Sequence, residues 1–221
     1  MRFAAWTLPP ILDPANSESA VLTLQRYFSI SKGGDQPLFS GSRFERLAGG
    51  EEKEVAADRF TAIDLVAVTT LSVDVPGQAA LRILGDTDPG FAHDLSDLLA
   101  QVPADLELID ASDKHLDTGN RLWRMLRSNR GVGPTKTSKL LARKRPHLFP
   151  VLDSVVTREL SHGNRTDFYV TLREHLRNDD RALWRHLRDV REHAGVGSDI
   201  SVIRCFDILV WMAGSGRLIS S

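Results

Sequence analysis

The hexapeptide Phe60-Thr61-Ala62-Ile63-Asp64-Leu65 marks a helix start twice over. Thr61 and Asp64 have the spacing of a capping box, in which each side chain satisfies a backbone amide near the other. Phe60 and Leu65 have the spacing of a hydrophobic staple. Similar punctuation recurs along the chain. Ser42 and Glu45 repeat the box in SRFERL, and Asp88 with Pro89 sets a cap and a first-turn proline before FAHDLSDLLAQV, where Phe91, Leu95, Leu98 and Leu99 share one face. Amphipathic stretches follow the helical period in SAVLTLQRYF, GQAALRIL, HLDTGNRLWRMLRS, FYVTLREHL, RALWRHLRDV and ISVIRCFDILVWMA. Their order predicts an all-α protein of about ten helices. The β-branched LVAVTTLSV and the segment VDVPG are where an extended conformation competes best.

The chain has 221 residues, 42% hydrophobic and 26% charged, enough to bury the core of one domain or of two intimate lobes. MRFAAWTLPPIL is interrupted by Pro9 and Pro10 and lacks a small-residue cleavage site, and no run reaches about 18 apolar residues. A soluble, cytoplasmic protein without membrane partners is expected. Cys205 is the single cysteine, which excludes an internal disulfide and any metal site built on several thiolates. The histidines are scattered without an HExxH spacing, so neither a transition metal nor another cofactor is assigned.

A net charge of -1 hides an uneven distribution. Residues 121–165 hold eleven basic side chains against Asp153 and Glu159, a net of +9, which leaves -10 on the remainder. Solvated helix faces mix signs, because like charges at helical spacing repel, so a one-sided block points to an anionic partner. The competing reading pairs these cations with the acidic remainder inside the fold.

Within that block, residues 131–153 read GVGPTKTSKLLARKRPHLFPVLD. Gly131 and Gly133 permit a tight turn, and Pro134 suits the first turn of a helix. The amides at such a helix start favour a phosphate, with Lys136, Lys139, Arg143, Lys144 and Arg145 expected to be exposed nearby. The helix stops at Pro146. Asp153 stands where an N-cap would begin DSVVTREL.

This run resembles the hairpin of the helix-hairpin-helix DNA glycosylases of the endonuclease III type, whose pattern is L-P-G-V-G-x-x-T-A followed by a proline-rich return and V-D-T-H. The matching residues are Gly131-Val132-Gly133 through Leu140, then Pro150-Val151-Leu152-Asp153. The resemblance implies a two-lobed helical bundle, with residues 1–104 and 105–221 as its lobes in one compact unit. It implies a DNA partner with Val132, Gly133 and Thr135 as hairpin contacts; with Gly131 in the turn and the nearby cations Arg130, Lys136, Lys139, Arg143 and Lys144 these make up the expected DNA-facing set. It also implies a monovalent cation on the hairpin carbonyls and Asp153 as the catalytic carboxylate of a DNA repair hydrolase acting on a damaged or modified base. Thr135 occupies the position of the Schiff-base lysine in bifunctional members, so lyase activity is not implied; Arg130 replaces the hairpin proline, and one cysteine cannot hold the iron–sulfur cluster. As a whole, with KLLARKRP and DLVAVTTLSV, the chain resembles an uncharacterised bacterial family that shares the hairpin.

Two alternatives stay open beside the monofunctional glycosylase: a catalytically silent DNA-binding module in which Asp153 only caps its helix, and a helical protein whose basic block binds an acidic protein. Elsewhere, Asp207 in RCFDILVW is expected to pair with Arg204, and Trp123, Trp184 and Trp211 fall at core-facing spacing. Asn164-Arg165-Thr166 matches a glycosylation sequon that a cytoplasmic location makes irrelevant.

Overall fold

The computed structural model describes residues 6–31, 34–49, 56–161 and 167–219. Among them the fold is all-α: the elements are α1 (Ser17–Tyr27), α2 (Ala62–Ala67), α3 (Gly77–Leu84), α4 (Pro89–Ala100), α5 (Asp113–Arg127), α6 (Pro134–Lys144), α7 (Ser154–Glu159), α8 (Phe168–Ala194) and α9 (Val202–Gly214), with short 3-10 turns between them. The sole extended pairing among the described residues is one antiparallel bridge, Ile30 with Pro37.

The chain forms two units: a central one, Ser40–Val151, and a terminal one built from Met1–Phe39 and Leu152–Ser221. The boundary therefore falls elsewhere than at 104/105, because α1 packs on α8 and α9 and so joins the two ends of the chain in one core.

In the terminal unit α9 is buried along nearly its whole length, and Trp6 packs at a tilt against Phe168, 4.6 Å between ring centroids, and stacks with Phe206 at 6.5 Å. Asp207 is buried and paired with Arg204, as its sequence context suggests, and Arg204 also donates to the Tyr27 hydroxyl at 3.1 Å. FYVTLREHL and RALWRHLRDV become the two arms of α8, joined at a left-handed turn of Asp179, Asp180 and Arg181 (φ 49°, 53° and 62°). Trp123, Trp184 and Trp211 are each half-buried; Trp184 lies under the Arg188 guanidinium, and Trp211 lies under that of Arg217 while also packing edge-on against Tyr27 and Phe39.

In the central unit the capping box forms as read: the Thr61 amide donates to Asp64 Oδ2 at 2.9 Å and the Asp64 amide to Thr61 Oγ1 at 3.4 Å. The β-branched stretch that follows shortens α2, which passes into a 3-10 turn over Val68–Leu71. The box read at Ser42 and Glu45 does not open an α-helix; Ser40–Arg43 is a 3-10 turn. The reason is visible in the backbone acceptors, since the carbonyls of Phe44 and Glu45 accept from Arg143 Nη1 at 2.5 and 3.0 Å. At the start of α4, Asp88 caps as expected, accepting from the Phe91 amide at 3.0 Å ahead of Pro89.

Gly119 lies where α5 meets the Phe149 ring, and a Cβ there would sit 2.6 Å from Phe149 Cζ. Gly119→Ala is expected to overpack this contact and cost about 1–3 kcal/mol, read as a lowered urea midpoint with an unchanged slope.

Candidate functional site

The chain between α5 and α6 is a tight turn held by its own side chains. Asn129 is buried and its amide donates to the carbonyls of Met125 and Leu126 at 3.3 and 3.0 Å. Its backbone carbonyl takes the Val132 amide at 3.1 Å, and Arg82 Nη1 reaches its Oδ1 at 3.4 Å. Gly131 has φ +80°, and a Cβ there would lie 2.8 Å from Pro76 Cγ, so conformation and space both demand glycine. Val132 plugs the core at 3% exposure.

Gly133 is the N-cap of α6 and offers no side chain to it. Its carbonyl accepts from both the amide and the hydroxyl of Thr137, each at 3.0 Å. The amides of Gly133, Thr135 and Lys136 have no protein partner among the described residues. The glycine turn and the helix from Pro134 are thus present as the sequence indicates.

The expected outward display of lysines and arginines on α6 is corrected. Lys139, Arg143, Lys144 and Arg145 are buried, and each serves as an internal donor. Lys139 Nζ donates to the Leu71 carbonyl at 2.7 Å. Arg143 pairs with Asp64 at 3.1 Å, and Lys144 pairs with the other oxygen of the same carboxylate while donating to the Ala56 carbonyl at 3.0 Å. Arg145 is fully buried and donates to the carbonyls of Val102, Ala57 and Leu99 and to Asp58 at 2.5–2.8 Å. Burial pulls the Lys144 ammonium below its usual value, an effect that Asp64 opposes. Lys139, Arg143 and Lys144 are therefore not exposed phosphate contacts: their donor hydrogens go to backbone carbonyls of irregular segments packed against α6.

The basic block accordingly splits. Arg121, Arg124, Arg127 and Arg130 are exposed and Lys136 is half-exposed, while everything basic from Lys139 to Arg145 points inward. The sequence sign of this division was the lack of acids: between Asp117 and Asp153 there are none, and the carboxylates that meet the buried cations, Asp58 and Asp64, lie far upstream.

Asp153 belongs to the terminal unit and caps α7. Its Oδ1 accepts from the amides of Val155 and Val156 at 2.9 and 3.0 Å, and its Oδ2 has no partner among the described residues. The side chain is half-buried. The hairpin and Asp153 lie in different units, and each stands on its own geometry. Among the described residues no group of three His, Cys, Asp or Glu side chains could hold a metal ion.

Residues 20–214, from within α1 to the end of α9, match the model of a family of unknown function, DUF6308. The chain belongs to the DUF6308 family. No curated protein and no solved structure matches it. In this DUF6308 member the matched span takes in both the turn at Gly131–Gly133 and Asp153. No helix among its described residues is long and apolar enough to cross a membrane.

Proposed function

We propose that the chain binds the sugar–phosphate backbone of DNA through the α5–turn–α6 segment, used as a helix-hairpin-helix. One observation carries this reading: the start of α6 is uncapped, with three amides lacking a protein partner, and cations rather than acids stand beside it. A helix start stabilises negative charge and disfavours positive charge, yet Lys136 occupies the first turn of α6 and Arg130 lies exposed just before it, with no ion pair for either among the described residues. A phosphate would satisfy the amides and neutralise both side chains. Gly131 and Val132 contribute their carbonyls, which take no hydrogen bond among the described residues, as the groups that would hold the monovalent cation implied by the family resemblance.

Fluorescence anisotropy with a labelled duplex checks this reading. Binding at low salt is expected, and Arg130→Ala with Lys136→Ala is expected to lower the slope of log affinity against log salt by about one per lost contact. Absence of binding at low salt overturns it.

A catalytic extension rests on Asp153. With both cap bonds taken by Oδ1, Oδ2 is left to face a cationic sugar. In that extension the N-glycosidic bond of a flipped nucleotide breaks, water adds at C1′ and leaves a hydroxyl there, and the proton that the water loses ends on the departing base, while the carboxylate stabilises the positive charge that builds on the sugar. In the competing module without catalysis, Asp153 does no more than cap α7.

A further inference from the structure

We infer that the outer face of α5 is a second polyanion-binding surface, formed by Arg121, Arg124 and Arg127, and that its partner is nucleic acid along several consecutive phosphates. This goes beyond the hairpin reading and needs neither the amides of α6 nor Asp153. The three arginines are exposed, and none forms an ion pair among the described residues; the one bond among them runs from Arg124 Nε to the Asn120 carbonyl of the same helix, at 3.2 Å. The first half of the helix mixes signs, with Asp113, Lys114 and Asp117 exposed together. The second half does not. Side chains three apart on a helix are neighbours, so three arginines at this spacing repel one another. The negative end of the helix compensates Arg124 and Arg127 in the last turn but fades before Arg121.

The surface geometry selects the partner. Steps of three residues turn each arginine by about 60° and raise it by about 4.5 Å, so the three span an arc of about 120° over about 9 Å. Three guanidiniums spread along this arc repel one another less when each meets its own phosphate along a polymer than when all three converge on one small anion. The exposed large hydrophobics among the described residues are Ile30, Leu38, Val66, Leu81 and Leu218, and none lies on α5, whose Trp123 and Met125 are half-buried, so charge rather than fully exposed apolar surface dominates this face.

The test compares the wild-type chain, the Arg121→Gln/Arg124→Gln/Arg127→Gln variant, the same positions changed to lysine, and the Arg130→Ala/Lys136→Ala variant, after circular dichroism establishes equal helicity. The probe is a labelled 20-base-pair duplex titrated across salt. The glutamine variant is expected to lose about one unit of salt slope per contact, and the lysine variant to recover most of it because the charge returns. An unchanged slope in the glutamine variant overturns the inference even if the hairpin variant loses binding. If the glutamine variant loses binding and the hairpin variant does not, the α5 surface stands and the hairpin reading falls. Polyglutamate displacing the duplex at equal charge concentration would make the partner an acidic protein, and binding to phosphatidylglycerol vesicles in preference to the duplex would make it a membrane; either result overturns the inference. A wild-type chain that fails to bind the duplex at low salt overturns both readings together.

Discussion

Replacing Asp64 by asparagine is expected to remove about 3–5 kcal/mol of stability, a large share of what a domain of this size possesses. Asp64 is the carboxylate that both Arg143 and Lys144 meet, and the side chains involved are 1–4% exposed. Asparagine can still accept the amide and hydroxyl of Thr61, so the capping box survives and the loss reports the charge. What remains after substitution is two buried cations with no carboxylate on that side, which water cannot reach to solvate. Urea unfolding followed by circular dichroism is the measurement, with the midpoint falling and the slope unchanged. A loss below about 1 kcal/mol would mean that the backbone carbonyls of Phe44, Glu45 and Ala56 alone suffice to hold the two cations.

Under the proposed catalytic extension, Asp153→Asn is expected to lower the release of a damaged base by two to three orders of magnitude, while folding and duplex binding persist. The asparagine oxygen accepts the same two amides, from Val155 and Val156, so α7 keeps its cap. What is removed is a full negative charge opposite the sugar as it turns cationic. The assay supplies duplexes carrying alkylated, deaminated or oxidised bases, measures free base, and then treats with alkali to cut abasic sites. Strand cleavage without alkali would point instead to an amine nucleophile, with Lys136 the half-exposed candidate in the first turn of α6. A wild-type chain that binds such duplexes and releases no base leaves Asp153 as a cap, whose removal by Asp153→Ala then costs about 1 kcal/mol of stability and nothing else.

Local chemistry was readable wherever the partners are close in sequence. The Thr61–Asp64 box, the Asp88 cap, the Gly131 turn, the Pro134 start and the Asp153 cap all join residues within a few positions, and all are present. The pairing of Arg204 with Asp207 belongs to the same class, three residues apart on one helix. The failures are long-range. Lys139, Arg143 and Lys144 read as exposed because basic residues at the end of a helix usually are, and nothing near them in the sequence announces the carbonyls of residues 44, 45, 56 and 71 that claim them. Ser42 and Glu45 form the counterpart error: the local box is intact in sequence, but the distant Arg143 takes the backbone groups that a helix would have used. The discontinuous terminal unit escaped for the same reason, since joining residues 1–39 to 152–221 is a matter of which apolar faces meet.

The inward cations of residues 139–145 also set an order of events during synthesis. Their bonds reach back across 43 to 99 residues, to carbonyls in segments that leave the ribosome well before α6 does. At about 5–20 residues per second, the carbonyls of Phe44 and Glu45 wait roughly 5–20 s for Arg143 to be made. In that interval the carbonyls of Phe44, Glu45, Ala56 and Leu71 lack the side-chain donors that they have in the finished unit. Closure of the central unit is thus tied to the arrival of one short stretch, 139–145, and a nascent chain halted before it would keep those loops open however complete α2 to α5 had become.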